Sequence, residues 1–230
     1  MTDIRGETHR RKQVLRFVIY FSGLVILAVG ITLNTKTTLG VSPIISVAYS
    51  VSQIWNLNFA NVTFIWYGVF VLIQMVLHLL RKPPDLKRKL ASDGMQFAVS
   101  LISTRFMDLF GAAIPVFQTD CPDSFAGSFA GRFLFLLLAI ALTGIGASMS
   151  LFTRIVPNPG DGLVQGISDF TGISAGTTKN LVDLTCVLLT LTLSLLLAHR
   201  VIGVGIGTLA AIAGVGRVVA VFERLFGAQI

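Results

Sequence analysis

The chain is poor in charge and nearly free of cysteine. Of its 230 residues only 13% are charged, against 53% hydrophobic; a soluble globular chain carries roughly a quarter charged residues. That shortage excludes an ordinary soluble domain, because too few polar side chains remain to cover the apolar ones. Two cysteines, Cys121 and Cys186, exclude a disulfide scaffold, and neither has the spacing of a metal site. Three histidines, His9, His78 and His199, lie far apart. No serine occupies a nucleophile elbow, and nothing in the chain pairs a nucleophile with a base. The expectation is therefore a protein that is not an enzyme and carries no metal and no cofactor.

Long apolar runs are what the chain does have. Residues 17–33, 62–80 and 133–152 carry no formal charge with neutral histidine, and 201–222 is interrupted only by Arg217. Each approaches the roughly 20 residues that cross about 30 Å of hydrocarbon. The lipid bilayer is thus the first partner. The first run continues into Asn34-Thr35-Lys36 without a small-residue cleavage site and reads as a retained helix.

The net charge of +7 follows the ends of these runs. Arg5, Arg10, Arg11, Lys12 and Arg16 precede the first, while Arg81, Lys82, Lys87, Arg88 and Lys89 fill one connection. This is the pattern that orients a chain in its membrane with basic loops inside. No aromatic side chains interleave with these charges, so nucleic acid is not an expected partner.

A fixed offset of 116 residues relates the two halves. It carries Arg16-Phe17 onto Arg132-Phe133, Gly30 onto Gly146, Pro43 onto Pro159 and Ser52 onto Ser168. The stretch 93–115 matches 205–227 after a small shift that sets Arg105 opposite Arg217. Repeat one covers 14–117 and repeat two 130–227, within a single membrane domain over 1–230; such duplications constrain the fold before any other reading. Each unit has four segments: long, short, long, long. The short ones, 43–56 and 159–172, begin at prolines preceded by Ser42 and Asn158. Proline suits the first helical turn, and serine and asparagine suit the cap before it.

Charge decides which segments cross. The basic N-terminus and the basic 81–89 connection belong on the same side, so an even number of crossings separates them. The first and third segments cross, and the short one does not. The second unit then starts on the opposite side. The expected fold is an all-α polytopic membrane protein with an inverted internal repeat, six transmembrane helices and two short re-entrant or interfacial helices, both termini on the cytoplasmic side. Inverted repeats with interrupted helices are a recurrent transporter construction. The expected function is movement of a small anionic or zwitterionic solute along the repeat interface. The alternative is a non-transport membrane protein that stabilises or regulates a partner complex; a homo-oligomer also remains open.

Six residues are candidates for contact with solute. Ser42, Pro43, Asn158 and Pro159 form the paired helix starts, whose free N–H groups favour an anion. Arg105 and Arg217 are electrostatic candidates. Arg105 has Asp108 one turn away, a pairing that eases its burial. Arg217 has Ala220 there instead, and must reach Glu223, another helix, a headgroup or an anion. Asp183, four residues after Lys179 at the start of an apolar run, is a candidate for ion coupling. His78 and Gln74, one turn apart, read as groups that hydrogen-bond to a neighbouring helix, with proton-relay groups as the alternative. Gly144, Gly146, Ala147 and Ser148 form a surface suited to close helix approach, and Gly203, Gly205 and Gly207 read as close packing at the start of the last span.

The runs Leu39-Gly40-Val41-Ser42-Pro43, Thr171-Gly172-Ile173-Ser174-Ala175-Gly176-Thr177 and Gly205-Ile206-Gly207-Thr208-Leu209 resemble those of the YczE/YitT-like family of bacterial integral membrane proteins, over roughly residues 14–226. The resemblance implies a bacterial inner-membrane location and a polytopic topology, and transfers no substrate. The first half departs from the pattern at Asn58-Phe59-Ala60-Asn61, where the second keeps Ser174-Ala175-Gly176-Thr177.

Overall fold

A computed structural model describes residues 3–226, with side chains from Arg10 onward. Arg5 and His9 precede the first described side chain, and Gly227 follows the last described residue. Among the described residues nine α-helices form in chain order: α1 (Asp3–Lys36), α2 (Pro43–Ile54), α3 (Phe59–Arg81), α4 (Leu86–Ala113), α5 (Phe117–Asp120), α6 (Phe129–Thr153), α7 (Pro159–Thr171), α8 (Ala175–Ala198) and α9 (Ile206–Phe226). Six of these are long and apolar enough to span a bilayer: α1, α3, α4, α6, α8 and α9. The molecule is an all-α, six-span membrane bundle with extra short helices.

The helix ends follow local chemistry. Pro43 and Pro159 open α2 and α7 at their first turns. Asn58, Ser128 and Ser174 cap α3, α6 and α8 by accepting from the amides of Asn61, Gly131 and Thr177. Gly172 closes α7 with φ +76°, a left-handed conformation that glycine adopts without a Cβ penalty.

Helices α1 and α6 form the most intimate pair. A Cβ on Gly146 would stand 2.4 Å from the Leu27 nitrogen and 2.7 Å from the Gly23 oxygen. One on Gly30 would stand 2.6 Å from the Thr143 nitrogen and 3.0 Å from the Ala139 oxygen. Glycine is required because the two backbones already touch. At Gly144 the neighbour is Val218 of α9, and Gly205 and Gly207 lie against the Leu39 and Gly40 carbonyls. The glycine-rich stretches are thus packing surfaces, as their spacing suggests.

Around the α1–α6 pair, α4 packs on α1 and α9 on α6, while α2 packs against α8 and α3, and α7 against α3 and α8. Hydrogen bonds fix the directions. Lys36 of α1 donates to the Gly111 carbonyl of α4, whereas His78 and Asp93 meet where α3 ends and α4 begins. One face of the bundle therefore carries the ends of α1 and α4 and the start of α3. The other carries Arg81, Lys82, Lys87, Arg88 and Lys89. We call them the acidic face, after Asp120 and Asp123, and the basic face.

Candidate functional site: two helix starts inside the bundle

Neither short helix crosses the molecule; each begins inside it. The Trp66 Nε1 donates to the Ile44 carbonyl at 2.9 Å, which fixes the first turn of α2 beside a residue two turns into α3 from the acidic face. Gln74 Nε2 donates to the Pro159 carbonyl at 3.1 Å, which fixes the first turn of α7 two turns in from the basic end of the same helix. Eight residues of α3 separate Trp66 from Gln74, about 12 Å at 1.5 Å per residue. In that interval the starts meet: the Ile44 Cδ1 lies 2.6 Å from the position a Cβ on Gly160 would take. From there α2 runs toward the acidic face and α7 toward the basic one.

The two starts differ in polarity. Ser42 provides no side-chain cap to α2, and no acidic residue occupies that first turn, so its amides retain their partial positive charge. At α7, Asn158 caps through Gly160 at 3.4 Å, with Tyr67 beside its side chain. Asp161 stands in the first turn of α7, near the charges of Lys179 and Asp183. Lys179 Nζ pairs with Asp183 Oδ2 at 2.6 Å, and Asp183 is only 3% exposed. A carboxylate this deep in a membrane bundle is costly unless paired, and Lys179 supplies the pair.

The packing of α2 on α8 uses hydroxyls. Ser46 and Thr190 oxygens lie 2.7 Å apart, and those of Ser50 and Ser194 2.9 Å. Across the bundle α7 presents Gly162 and Gly166 to the side chain of Gln74. Gln74 and Gln96 exchange hydrogen bonds of 3.2 and 2.9 Å. His78 Nδ1 lies 2.7 Å from Asp93 Oδ2. His78 and Gln74 thus each hydrogen-bond across to α4, the helix–helix bonding expected of them, with Asp93 and Gln96 as the partners.

Three cavities lie at the two faces of the bundle. On the acidic face, one of about 580 Å³ is lined by Thr32, Thr35, Tyr49, Gln53 and Asn58 among others. One of about 280 Å³ beside it shares Thr35, Thr38, Tyr49 and Gln53 and reaches Gly203 and Gly205. On the basic face, a cavity of about 440 Å³ lies between Arg88, Lys89 and Ser92 of α4 and Ser150, Arg154 and Val156. Asn34 Oδ1 and Ser150 Oγ are buried polar atoms without a hydrogen-bond partner among the described residues.

Of the six contact candidates and Asp183, the fold brings five to this region: Ser42, Pro43, Asn158 and Pro159 through the Ile44–Gly160 contact, and Asp183 through Asp161. Arg105 and Arg217 lie elsewhere, on exposed surfaces of α4 and α9. Arg105 does not pair with Asp108. It donates to Asn61 Oδ1, and Asp108 accepts from Asn58 Nδ2 at 2.6 Å. Antiparallel packing sets the first turn of α3 beside these groups, so partners come from across the helix pair. The ion pairs among the described residues do not include Arg217.

Sequence reasoning passed over Asp93, Gln96, Asp161 and Tyr67. Asp93 and Gln96 had a readable signal: two polar residues three apart on one helix face at the head of an apolar span. Asp161, between two glycines, had none that distinguishes it from a loop residue.

A helical membrane chain with these glycine-pinned contacts matches one protein family along nearly its whole length. The chain belongs to the family of unknown function DUF6198. The match runs over residues 14–224. This DUF6198 chain is also similar to "Uncharacterized membrane protein YczE" of Bacillus subtilis (strain 168), with 26% identity over 177 residues, 76% of this chain and 74% of that protein. It is a bacterial integral membrane protein of that kind, as the resemblance in its sequence implies. No solved structure matches it.

Proposed function

We propose that this DUF6198 protein is an inner-membrane transporter for a small zwitterionic or anionic solute, built as an inverted repeat and binding its solute where α2 and α7 begin. The observation that carries this reading is the meeting of Ile44 and Gly160 inside the bundle. The 116-residue offset relates those two positions to each other. A residue that touches its own counterpart belongs on a two-fold axis.

Further contacts support the repeat. The offset carries Gly30 onto Gly146, Leu27 onto Thr143 and Gly23 onto Ala139, so both close approaches of α1 to α6 use equivalent atoms. It carries Ser46 and Ser50 onto Gly162 and Gly166, and Thr190 and Ser194 are the counterparts of Gln74 and His78. Two hydroxyl pairs on one side thus answer to two glycines and two large polar side chains on the other. Position by position, small–small has become smaller–larger, with the packing volume conserved. The packing of α3 on α4 has no equally close α8–α9 counterpart, and that asymmetry coincides with the Gln74–Asp93 network on α3 and α4.

Access from both faces supports transport. The cavity bordered by 38–41 and 200–205 answers under the repeat to the one bordered by 154–157 and 88–92. The unpartnered Asn34 and Ser150 are themselves counterparts; such atoms at membrane depth are satisfied when water or a polar solute reaches them. The contrast between an uncapped start at α2 and the carboxylates of Asp161 and Asp183 at α7 suits a solute carrying both signs of charge. Asp183 is then the candidate coupling carboxylate. The basic face is cytoplasmic by its arginines and lysines, with both termini on that side.

The test is uptake into liposomes holding the purified protein, with radiolabelled amino acids, small carboxylates, sulfonates and phosphate as the panel. Saturable flux of at least one compound is expected. The variant Gly160→Leu, which fills the meeting point, should lose that flux while keeping its helical circular dichroism. Absence of both flux and solute-dependent thermal stabilisation across the panel would overturn the reading in favour of a partner-stabilising role.

A further inference from the structure

The buried polar network on α3, α4 and α7 has a titratable end. His78 is 8% exposed and Asp93 2%, and Gln74 and Gln96 are 1% exposed each. From His78 the contacts run to Asp93 Oδ2 at 2.7 Å, from Asp93 Oδ1 to Gln96 Nε2 at 3.5 Å, through the paired amides, and from Gln74 to the Pro159 carbonyl at 3.1 Å. An imidazole–carboxylate pair at one end is therefore joined through hydrogen bonds to the first turn of α7 at the other.

Among the described residues the pair has no further ion-pair partner. Toward the same end of α3, α4 and α7, the charges of Arg81, Lys89 and Asp169 are joined to one another: Lys89 to Asp169 at 2.8 Å and Arg81 to Asp169 at 3.7 Å. From α1, Arg16 donates to the Thr153 carbonyl. Helix α2 carries no charged side chain. Tyr67, Asp161, Lys179 and Asp183 lie at the far end, beside the start of α7.

A membrane-embedded histidine facing a carboxylate has two states. With the ring neutral the pair bears one negative charge. With a proton added it becomes an ion pair of no net charge, in which both ring nitrogens are donors. Asp93 accepts differently in the two states, and its second oxygen is the contact to Gln96. Asp93 stays a carboxylate in both states, so its Oδ1 accepts from Gln96 throughout; what changes is the charge left on that oxygen, and with it the strength of the hydrogen bonds that run through Gln96 and Gln74 to the Pro159 carbonyl. The corresponding positions of the second half, Thr190 and Ser194, hold hydroxyls and cannot take up a proton in this range. The device belongs to one half only.

We propose that His78 and Asp93 form a proton-binding site whose occupancy is relayed by Gln96 and Gln74 to the start of α7, making the position of that helix proton-dependent. The consequence for solute movement rests on the transporter reading; proton binding and the relay do not.

The test uses the full chain in lipid nanodiscs, labelled with ¹⁵N-histidine and ¹⁵N-glycine, over pH 5–9. Ring signals are assigned to His78 by their loss in His78→Gln, and the α7 amides by loss in Gly160→Ala and Gly162→Ala. The expected result is one protonation step at the His78 ring, with the Gly160 and Gly162 amides moving at the same midpoint. Asp93→Asn should lower the proton affinity of the ring tenfold or more. Gln74→Met should leave the ring titration and abolish the glycine response. A ring that holds one state throughout, or that titrates with no glycine response in the unaltered protein, overturns the proposal. In liposomes, flux that ignores a pH gradient overturns the coupling alone. Absence of all flux removes the transporter reading and leaves the proton site to stand or fall on the resonance data.

Discussion

Gly162 makes the room that Gln74 occupies: a Cβ on the glycine would lie 2.4 Å from the glutamine Oε1. The residue 116 positions earlier is Ser46, which bonds Thr190 at 2.7 Å. Gly162→Ser should therefore destabilise the protein by about 1–3 kcal/mol through overpacking. Gln74→Thr should also destabilise, because Gln96 loses its partner and a buried amide left unpaired costs about 1–3 kcal/mol. The double variant recreates the pair seen between α2 and α8, so its loss should fall short of the summed single losses by about 1 kcal/mol or more. Thermal unfolding in detergent closes this cycle, and strict additivity would show that the two residues do not share the space.

The approach of α1 to α6 predicts equal sensitivity at two distant residues. Gly146→Ala and Gly30→Ala each push a methyl into backbone atoms of the partner helix, which cannot move aside as a side-chain tip can. Each should cost about 2 kcal/mol or more, and the two losses should agree to within about 1 kcal/mol if the contacts are equivalent. Valine at either place should prevent recovery of folded protein. A large disparity between the two alanine variants, read by denaturant titration, would count against the repeat.

Topology has a native reporter. Cys121 is partly exposed on the acidic face, and Cys186 is buried. A membrane-impermeant maleimide added to intact cells should label the unaltered protein at Cys121. In a Cys121→Ser, Cys186→Ser background, Asp123→Cys should label from outside and Lys87→Cys only after the membrane is opened. Labelling of Lys87→Cys in intact cells would reverse the orientation assigned from charge.

At the basic end of α7, Asp169 fastens the helix to α3 and α4. Partial burial opposes its charge, yet hydrogen bonds from Lys89 and Gln165 and the charges of Lys89 and Arg81 win and hold its carboxyl below the usual range. A depressed carboxyl contributes stability above its unfolded value, about 4, and loses it as pH falls through the lower folded value. Asp169→Asn should thus cost about 1 kcal/mol or less near neutrality, as half-exposed ion pairs do. The difference from the unaltered protein should stay constant from pH 8 to 5 and vanish in stronger acid. A difference that grows on acidification would assign the effect to another group.

Much of this architecture was legible in the chain. Apolar runs of about 20 residues mark four spans by hydropathy and length, and the 116-residue offset with the placement of basic residues completes the six. Pro43 and Pro159 mark the true starts of α2 and α7 because proline cannot sit deeper in a helix without losing a hydrogen bond. Gly146, in the small-residue surface at 144–148, announced a close helix approach, and His78 and Gln74 bond across to α4 as helix–helix groups should. One assignment from sequence spacing did not survive folding: Arg105 and Asp108 share a face of α4 but take Asn61 and Asn58 as partners.

Sequence alone determined that the chain lies in a bilayer, how many times it is long enough to cross, and where its two short helices begin. Those properties are local, set by burial of apolar side chains and by the backbone demands of proline and glycine. Only the tertiary structure decided that the two starts meet at Ile44 and Gly160, that Asp161 comes near Lys179 and Asp183, and that a histidine near the end of one span finds a carboxylate at the head of the next. Such contacts depend on how helices cross and which faces they turn to each other. That is fixed by packing between residues as distant in the chain as Leu39 and Gly207, which no local pattern records.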